Sequence, residues 1–320
     1  MSDKDGQLAA AVAAGSAFLF EDWDGPPVPV LFSAPDNVSS AVRLPTLSPL
    51  PVHPAGYMTL TACPTLRQAE VIVVIHGNGR NAPGYHRTWA ELCAGHDVVV
   101  LTPYFSKAHY PHSSQFQCGN VMTFGDGDGE AMDDAATREN PRSEWTFSVV
   151  DGCFDWARRR YGLAASGFSL YGHSAGSQFL HRYLYWSPES PVKVAVAANA
   201  GWYTMPSLDV QWPYGLGGTR LGPDDLRGFV GRSNFVVLLG TGDVDTEDEG
   251  LRKSAEAEEQ GPHRFARGQR FVATATAAAQ QLGVACGVEQ VLVPEATHSN
   301  ALMAADALQA ILTRLPRASL

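Results

Sequence analysis

Hydrophobic residues along this chain fall in short unbroken blocks, with longer stretches of helical spacing between them. Val71-Ile72-Val73-Val74-Ile75, Val98-Val99-Val100-Leu101, Val192 to Ala198 and Phe235-Val236-Val237-Leu238-Leu239 hold no polar alternation except at Lys193. A strand with one wet face alternates apolar and polar positions, whereas a strand covered on both faces does not. These blocks therefore predict buried strands, joined by Phe168 to Tyr171 and, near the end, Gln290 to Val293. Tyr85 to Cys93, Ser143 to Tyr161, Arg267 to Leu282 and Ser299 to Leu315 carry helical spacing between or after them. Strand and helix in alternation imply right-handed crossovers, and so an α/β fold with a mostly parallel central sheet and helices on both faces.

The first part of the chain reads differently. Leu8 to Leu19 is apolar and alanine-rich, which predicts a short amphipathic helix in an extension over residues 1–24. Pro26, Pro27 and Pro29 lead into Val30-Leu31-Phe32, a first strand, and residues 34–56 are rich in proline and serine, as loops are. Tyr57 to Ala62 alternates enough for another strand. The expected organisation is an N-terminal extension and irregular segment over 1–56, then a single α/β domain over 57–320. Residues 103–142 hold aromatics, histidines and an acidic glycine-rich patch, Asp126 to Glu130, and read as a mobile loop. Only about 35 residues separate Asn199 from Phe235, too few for a large, separately folded cap domain.

Composition narrows the partners. The 320 residues are 45% hydrophobic and 18% charged, ordinary values for a globular chain, and the formal net charge is −10. Such an acidic balance argues against nucleic acid or an anionic membrane as partner. Cys63, Cys93, Cys118, Cys153 and Cys286 are scattered without metal or redox spacing, so reduced thiols are expected. The acidic start Met1-Ser2-Asp3-Lys4-Asp5 does not suit a signal peptide, and no apolar run approaches membrane-spanning length; a cytoplasmic protein is expected. The acidic runs around Asp126 and around Asp243, Asp245 and Asp248 lack a calcium-loop register, so no metal is expected.

The chemistry centres on Gly172-His173-Ser174-Ala175-Gly176, between the strand ending at Tyr171 and a helix over Gln178 to Leu184. This is G-x-S-x-G, the turn that exposes a serine hydroxyl at the carboxyl edge of a sheet. A strand that turns into a helix within a few residues strains the serine backbone, and the flanking glycines remove side chains that would collide. Two further elements follow strands directly: Gly240-Thr241-Gly242-Asp243-Val244-Asp245, and Pro294-Glu295-Ala296-Thr297-His298. All three should lie on the edge where functional groups collect in open α/β sheets. A serine needs a base to take its proton, and an imidazole needs a carboxylate to hold its tautomer. Either Asp243 or Asp245 could be that carboxylate.

The order serine, acid, histidine, together with His76-Gly77-Asn78-Gly79-Arg80-Asn81-Ala82 after a central strand, resembles the α/β-hydrolases, and within them the polyester depolymerase and esterase branch. The likeness covers roughly residues 70–315. It implies a triad of Ser174, Asp243 and His298, and an oxyanion hole made by the backbone N–H groups of Asn78 and Ala175. Trp202 and Tyr203, after the strand that follows the serine, fall where substrate-facing loops are expected, with Tyr104, Phe105, Tyr110 and Phe116 as candidates for the opposite wall.

The expected activity is cleavage of a carboxylic ester through an acyl-enzyme, with a small-molecule or oligomeric ester as partner and no cofactor. An amidase or peptidase would use the same residues, and a non-catalytic binding module could keep the fold. Nothing in the sequence sets an oligomeric state.

Overall fold

A computed structural model describes residues 17–20, 24–26, 28–34, 67–124 and 136–315. The β-branched blocks form the strands β3 (Glu70–Ile75), β4 (Val98–Pro103), β7 (Phe168–His173), β8 (Val192–Ala198), β9 (Phe235–Gly240) and β10 (Val288–Val293). With β1 (Ala17–Phe20) and β2 (Val28–Ser33) they make an eight-stranded sheet of order β1-β2-β4-β3-β7-β8-β9-β10. From β4 to β10 every neighbouring pair is parallel. The two edge pairings, β1 with β2 and β2 with β4, are antiparallel.

Burial on both faces follows from the absence of alternation. Val71, Val73 and Ile75 join the core on one side of the sheet, while Ile72 and Val74 join the core on the other. The first core is closed by α2 (Ser148–Tyr161), α3 (Ala175–Trp186), α4 (Pro223–Val230), α5 (Ala255–Gln260) and α6 (Arg264–Leu282), through residues such as Phe154, Phe179, Leu226, Ala257 and Phe271. The second is closed by α1 (Ala82–Leu92) and α7 (Asn300–Arg314), through Trp89, Met303 and Ala307. Among the described residues, no helix is long and apolar enough to cross a membrane.

Several expectations need correction. Residues 17–20, the end of the stretch expected to be helical, form a strand: Phe18 pairs with Val30 and Leu19 with Pro29. The open edge of β2 supplies hydrogen bonds that helical spacing cannot report. β1 and β2, which fall within the stretch expected as an N-terminal extension and irregular segment, are strands of the main sheet. The strand expected over Tyr57 to Ala62 and the acidic patch Asp126 to Glu130 lie outside the described residues.

Residues 104–121 are folded onto the body rather than being a mobile loop. Arg80, itself buried, donates to the carbonyls of Phe105 (3.1 Å) and Tyr110 (2.8 Å), and Phe105, Phe116 and Val121 are inaccessible. A hairpin of β5 (Met122–Phe124) and β6 (Ala136–Glu139) follows. Between β8 and β9 the described chain holds only α4 as regular helix, consistent with the absence of a large cap.

Candidate active site

The sheet reverses its winding between β3 and β7, so the loops after these strands open onto one crevice. The β7 loop carries Ser174 with φ 58° and ψ −118°, the strained turn that the sequence pattern requires. Glycine is obligatory on both sides. A Cβ on Gly172 would stand 2.1 Å from the Gly176 carbonyl oxygen, and one on Gly176 would stand 2.1 Å from that of Ile75. Backbone atoms cannot move aside, so these glycines let α3 start directly against β3.

His298 arrives on the loop after β10. Its Nε2 lies 2.9 Å from Ser174 Oγ and its Nδ1 lies 2.7 Å from Asp243 Oδ2. With Nδ1 protonated toward the carboxylate, Nε2 is left to accept the serine proton. Asp243 is buried, so its negative charge acts on the imidazole with little solvent screening. Asp245, the alternative acid, is exposed and turned away, its Oδ1 accepting from the Glu247 N–H at 2.8 Å.

The Asp243 and His298 loops meet because Gly240 and Gly242 have no side chains. A Cβ on Gly240 would be 2.3 Å from the Ala296 carbonyl oxygen, and one on Gly242 would be 2.7 Å from that of Glu295. The Gly242 N–H donates to Ala296 O at 3.0 Å and the Glu295 N–H to Thr241 Oγ1 at 2.8 Å, locking the two loops together.

The β3 loop closes the site from the other side. His76 is buried and oriented on both ring nitrogens, its Nδ1 donating to Gly77 O at 3.0 Å and its Nε2 accepting from the Phe105 N–H at 3.1 Å. The Arg80 N–H donates to Gly77 O at 3.0 Å, making a tight turn with Arg80 at φ 51° and Asn78 at its exposed tip. Asn81 then caps α1, accepting from the Gly84 N–H at 3.2 Å. Among the described residues, no acceptor takes the N–H of Asn78 or of Ala175. Both residues line a cavity beside Ser174.

Two cavities meet at Ser174. The larger, about 440 Å³, lies on the His298 side and is lined by Asn78, Tyr85, Asp248, Arg264 and Asn300 among others. The smaller, about 200 Å³, lies toward α3 and is lined by Ser113, Gln117, Gln178, Trp202, Leu251 and Arg252 among others. Of the two aromatics singled out after β8, Trp202 lines this smaller cavity. Tyr203 does not: it is fully buried, stacked on Phe271 at 4.6 Å, and outside both cavities. Tyr104, Phe105, Tyr110 and Phe116 likewise pack beneath the His76 turn, and it is Ser113 and Gln117 that this segment offers to the crevice.

Sequence reading missed several supports. Tyr85, on α1, places its hydroxyl 2.9 Å from His173 Nδ1. Burial holds His173 well below the usual imidazole range, with His298 and Arg264 adding to the effect, so it stays neutral beside His298 at a ring distance of 4.8 Å. Arg264, at the start of α6, lies 3.6 Å from Asp243 Oδ1 and binds both oxygens of Asp248, at 3.1 and 3.2 Å. Its hydrogen bond to Asp248 holds that carboxyl below its ordinary value. Asn199, at φ 46°, accepts from the Gly240 N–H and donates to Thr297 O. An asparagine just past a strand hints at a left-handed position, but nothing in the sequence points to Arg264.

The chain is similar over nearly its whole length to solved structures. Poly(aspartic acid) hydrolase-1 from Sphingomonas sp. KT-1 is 33% identical with a TM-score of 0.76, the match covering 92% of this chain and 96% of that one. LpqC, the poly(3-hydroxybutyrate) depolymerase from Bordetella parapertussis, is 26% identical with a TM-score of 0.73, covering 97% of this chain and 94% of its own. The serine hydrolase FphF from Staphylococcus aureus shares the fold at 11% identity and a TM-score of 0.53, covering 93% of this chain and 96% of its own. No family model and no curated protein sequence matches the chain.

Proposed function

Given that the chain belongs to the α/β-hydrolase family, in its polyester depolymerase-like branch, we propose that it hydrolyses carboxylic esters through an acyl-enzyme on Ser174. The observation that carries this reading is the unbroken line of hydrogen bonds from Asp243 through His298 to Ser174.

His298 takes the Ser174 proton as Oγ attacks the ester carbonyl, and Asp243 stabilises the imidazolium that results. The carbonyl oxygen becomes negative between the Asn78 and Ala175 N–H groups, which are fixed by a tight turn and by a helix start and need no reorganisation. His298 then returns the proton to the leaving alkoxide, and the C–O bond breaks. A leaving group protonated by His298 occupies the larger cavity, which His298 lines, so the acyl part extends into the smaller one. Water, deprotonated by the same imidazole, attacks the acyl-enzyme; the acid departs and Ser174 regains its proton.

An amide substrate is the second reading. It is favoured by the 33% identity to a protein whose named substrate, poly(aspartic acid), is a polyamide. Matched p-nitrophenyl ester and anilide substrates separate the two, with faster ester turnover expected. The nucleophile is tested by a fluorophosphonate probe: the wild type is expected to be labelled, and Ser174→Ala to lose both labelling and turnover, the latter by roughly 10⁶. Active-site labelling that persists in Ser174→Ala would place the nucleophile elsewhere.

A further inference from the structure

Arg264 stands where a cation is unfavourable. It opens α6, and the positive end of a helix dipole disfavours a positive side chain there. Only 3% of its side chain is exposed, and its Nε is buried with no hydrogen-bond partner among the described residues. Arg267 follows one turn on. Burial pulls that guanidinium down to about 10, and the charge of Arg264 adds to the effect.

Two carboxylates offset this placement. Arg264 lies between Asp243, 3.6 Å from its Oδ1, and Asp248, whose two oxygens it meets at 3.1 and 3.2 Å. The contact with Asp243 is too long for a hydrogen bond, so it acts through charge. Holding Asp243 in place does not depend on it. The Asp243 N–H donates to Gly240 O at 3.1 Å, and its carbonyl accepts the Phe265 N–H at 3.1 Å. Its Oδ2 is already taken by His298 Nδ1. Arg264 therefore contributes a positive charge beside the other oxygen, in a place only 1% exposed where screening is weak.

Asp248 shares that charge. Its side chain is 32% exposed, and it lines the larger cavity beside Ser174. The hydrogen bond from Arg264 is the main reason its carboxyl lies below the ordinary range, and the charge of His298 adds to the effect. Other titratable groups also surround His298. His173 on the β7 loop is kept neutral by burial, and Tyr85 on α1 is hydrogen-bonded to it. Glu295, on the His298 loop itself, is exposed, where solvent and salt screen it.

We propose that Arg264 is a positioning residue that acts through Asp243, taking up part of the carboxylate's charge and so limiting how strongly the His298 imidazolium is held, with Asp248 as its counterweight. The inference rests on the reading of Ser174, His298 and Asp243 as a serine-hydrolase triad. An imidazolium held too strongly forms at higher pH, leaving less free base, and gives up its proton to the leaving group less readily. Arg264 and Asp248 carry opposite charges, so removing one should do the reverse of removing the other. A role confined to anchoring the Asp248 loop produces no such reversal.

The experiment reads kcat/KM for p-nitrophenyl acetate against pH, whose acid limb follows protonation of the base in the free enzyme. Arg264→Met should move the acid limb up by roughly 0.5–1 pH unit, and Arg264→Lys, which keeps the charge, should restore most of the wild-type position. Asp248→Asn should move it down, by roughly 0.3 unit, because solvent screens this residue in part. Limbs are compared only where activity returns at neutral pH, since acid unfolding also lowers turnover. Asp248→Asn decides the matter even if Arg264→Met fails to fold: an acid limb that stays in place or moves up overturns the assignment. Shifts of both variants in one direction, or a loss of kcat with no shift, make Arg264 an anchor of the loop and overturn it as well. Ser174-dependent turnover without opposed shifts defeats this inference alone. Absence of turnover and of fluorophosphonate labelling in the wild type defeats the hydrolase reading and the inference together.

Discussion

Asn199 accepts the Gly240 N–H at 2.8 Å, joining the end of β8 to the start of the loop that carries Asp243. The same carboxamide donates to the carbonyl of Thr297 at 3.4 Å, one residue before His298. One buried side chain thus holds together the loops that carry Asp243 and His298.

Asn199→Ala should therefore lower kcat with little change in KM, since Asn199 touches the loops and lines neither cavity beside Ser174. It also leaves the Gly240 N–H without its partner and puts alanine at positive φ, for a loss of about 1–3 kcal/mol. Urea unfolding and steady-state kinetics measured together check both; a rise in KM alone would contradict this role.

Asp243→Asn is expected to lower turnover by roughly 10⁴, through loss of the tautomer that leaves Nε2 free. Asp245→Asn, which changes an exposed residue whose carboxylate accepts from Glu247 in its own loop, should stay within about tenfold, or about 1.4 kcal/mol. Side-by-side kinetics decide, and the reverse ranking would reassign the acid.

The elbow glycines offer a steric test. In Gly176→Ala the new methyl would meet the Ile75 carbonyl at 2.1 Å, so a loss of at least about 1–3 kcal/mol is expected. Gly79→Ala meets nothing within 4 Å and should stay within about 0.5 kcal/mol of the parent in stability. Denaturation midpoints give both values, and equal effects would contradict the close approach of α3 to β3.

Stability should fall on mild acidification. Burial pulls His86 from the ordinary 6.5 down to about 4, and holds His173 and His181 well below the usual range. Between about pH 6.5 and 4 the unfolded chain binds protons at His86 that the folded one refuses, so stability is full above 6.5 and lost as pH falls through this window. His86 alone accounts for about 2 kcal/mol between pH 7 and pH 5. Urea midpoints at the two pH values check this; a higher midpoint at pH 5 would refute it.

Sequence by itself determined what depends on neighbours along the chain. An unbroken β-branched block can satisfy its side chains only when covered on both faces, so β3, β4, β8 and β9 were legible as buried strands. The elbow was legible because a strand-to-helix turn of that tightness needs glycine at 172 and 176. Helix starts at Ala82 and Arg264 fell a turn earlier than periodicity suggested, because Asn81 and His263 cap them through side chains.

Only the tertiary structure decided matters set by approach across the chain. Residues 17–20 became a strand because the β2 edge was open, an opportunity that local spacing does not encode. Asp243 and Asp245 are chemically the same, and the hydrogen bond with His298 is what distinguishes them. Trp202 reaches a cavity while its neighbour Tyr203 is buried, since successive side chains leave a loop in different directions and the packing of α6 covers one of them. Arg264 and Asn199 act on Asp243 and His298 through interactions between residues far apart in sequence. Such interactions exist only once the sheet has brought the ends of β8, β9 and β10 side by side.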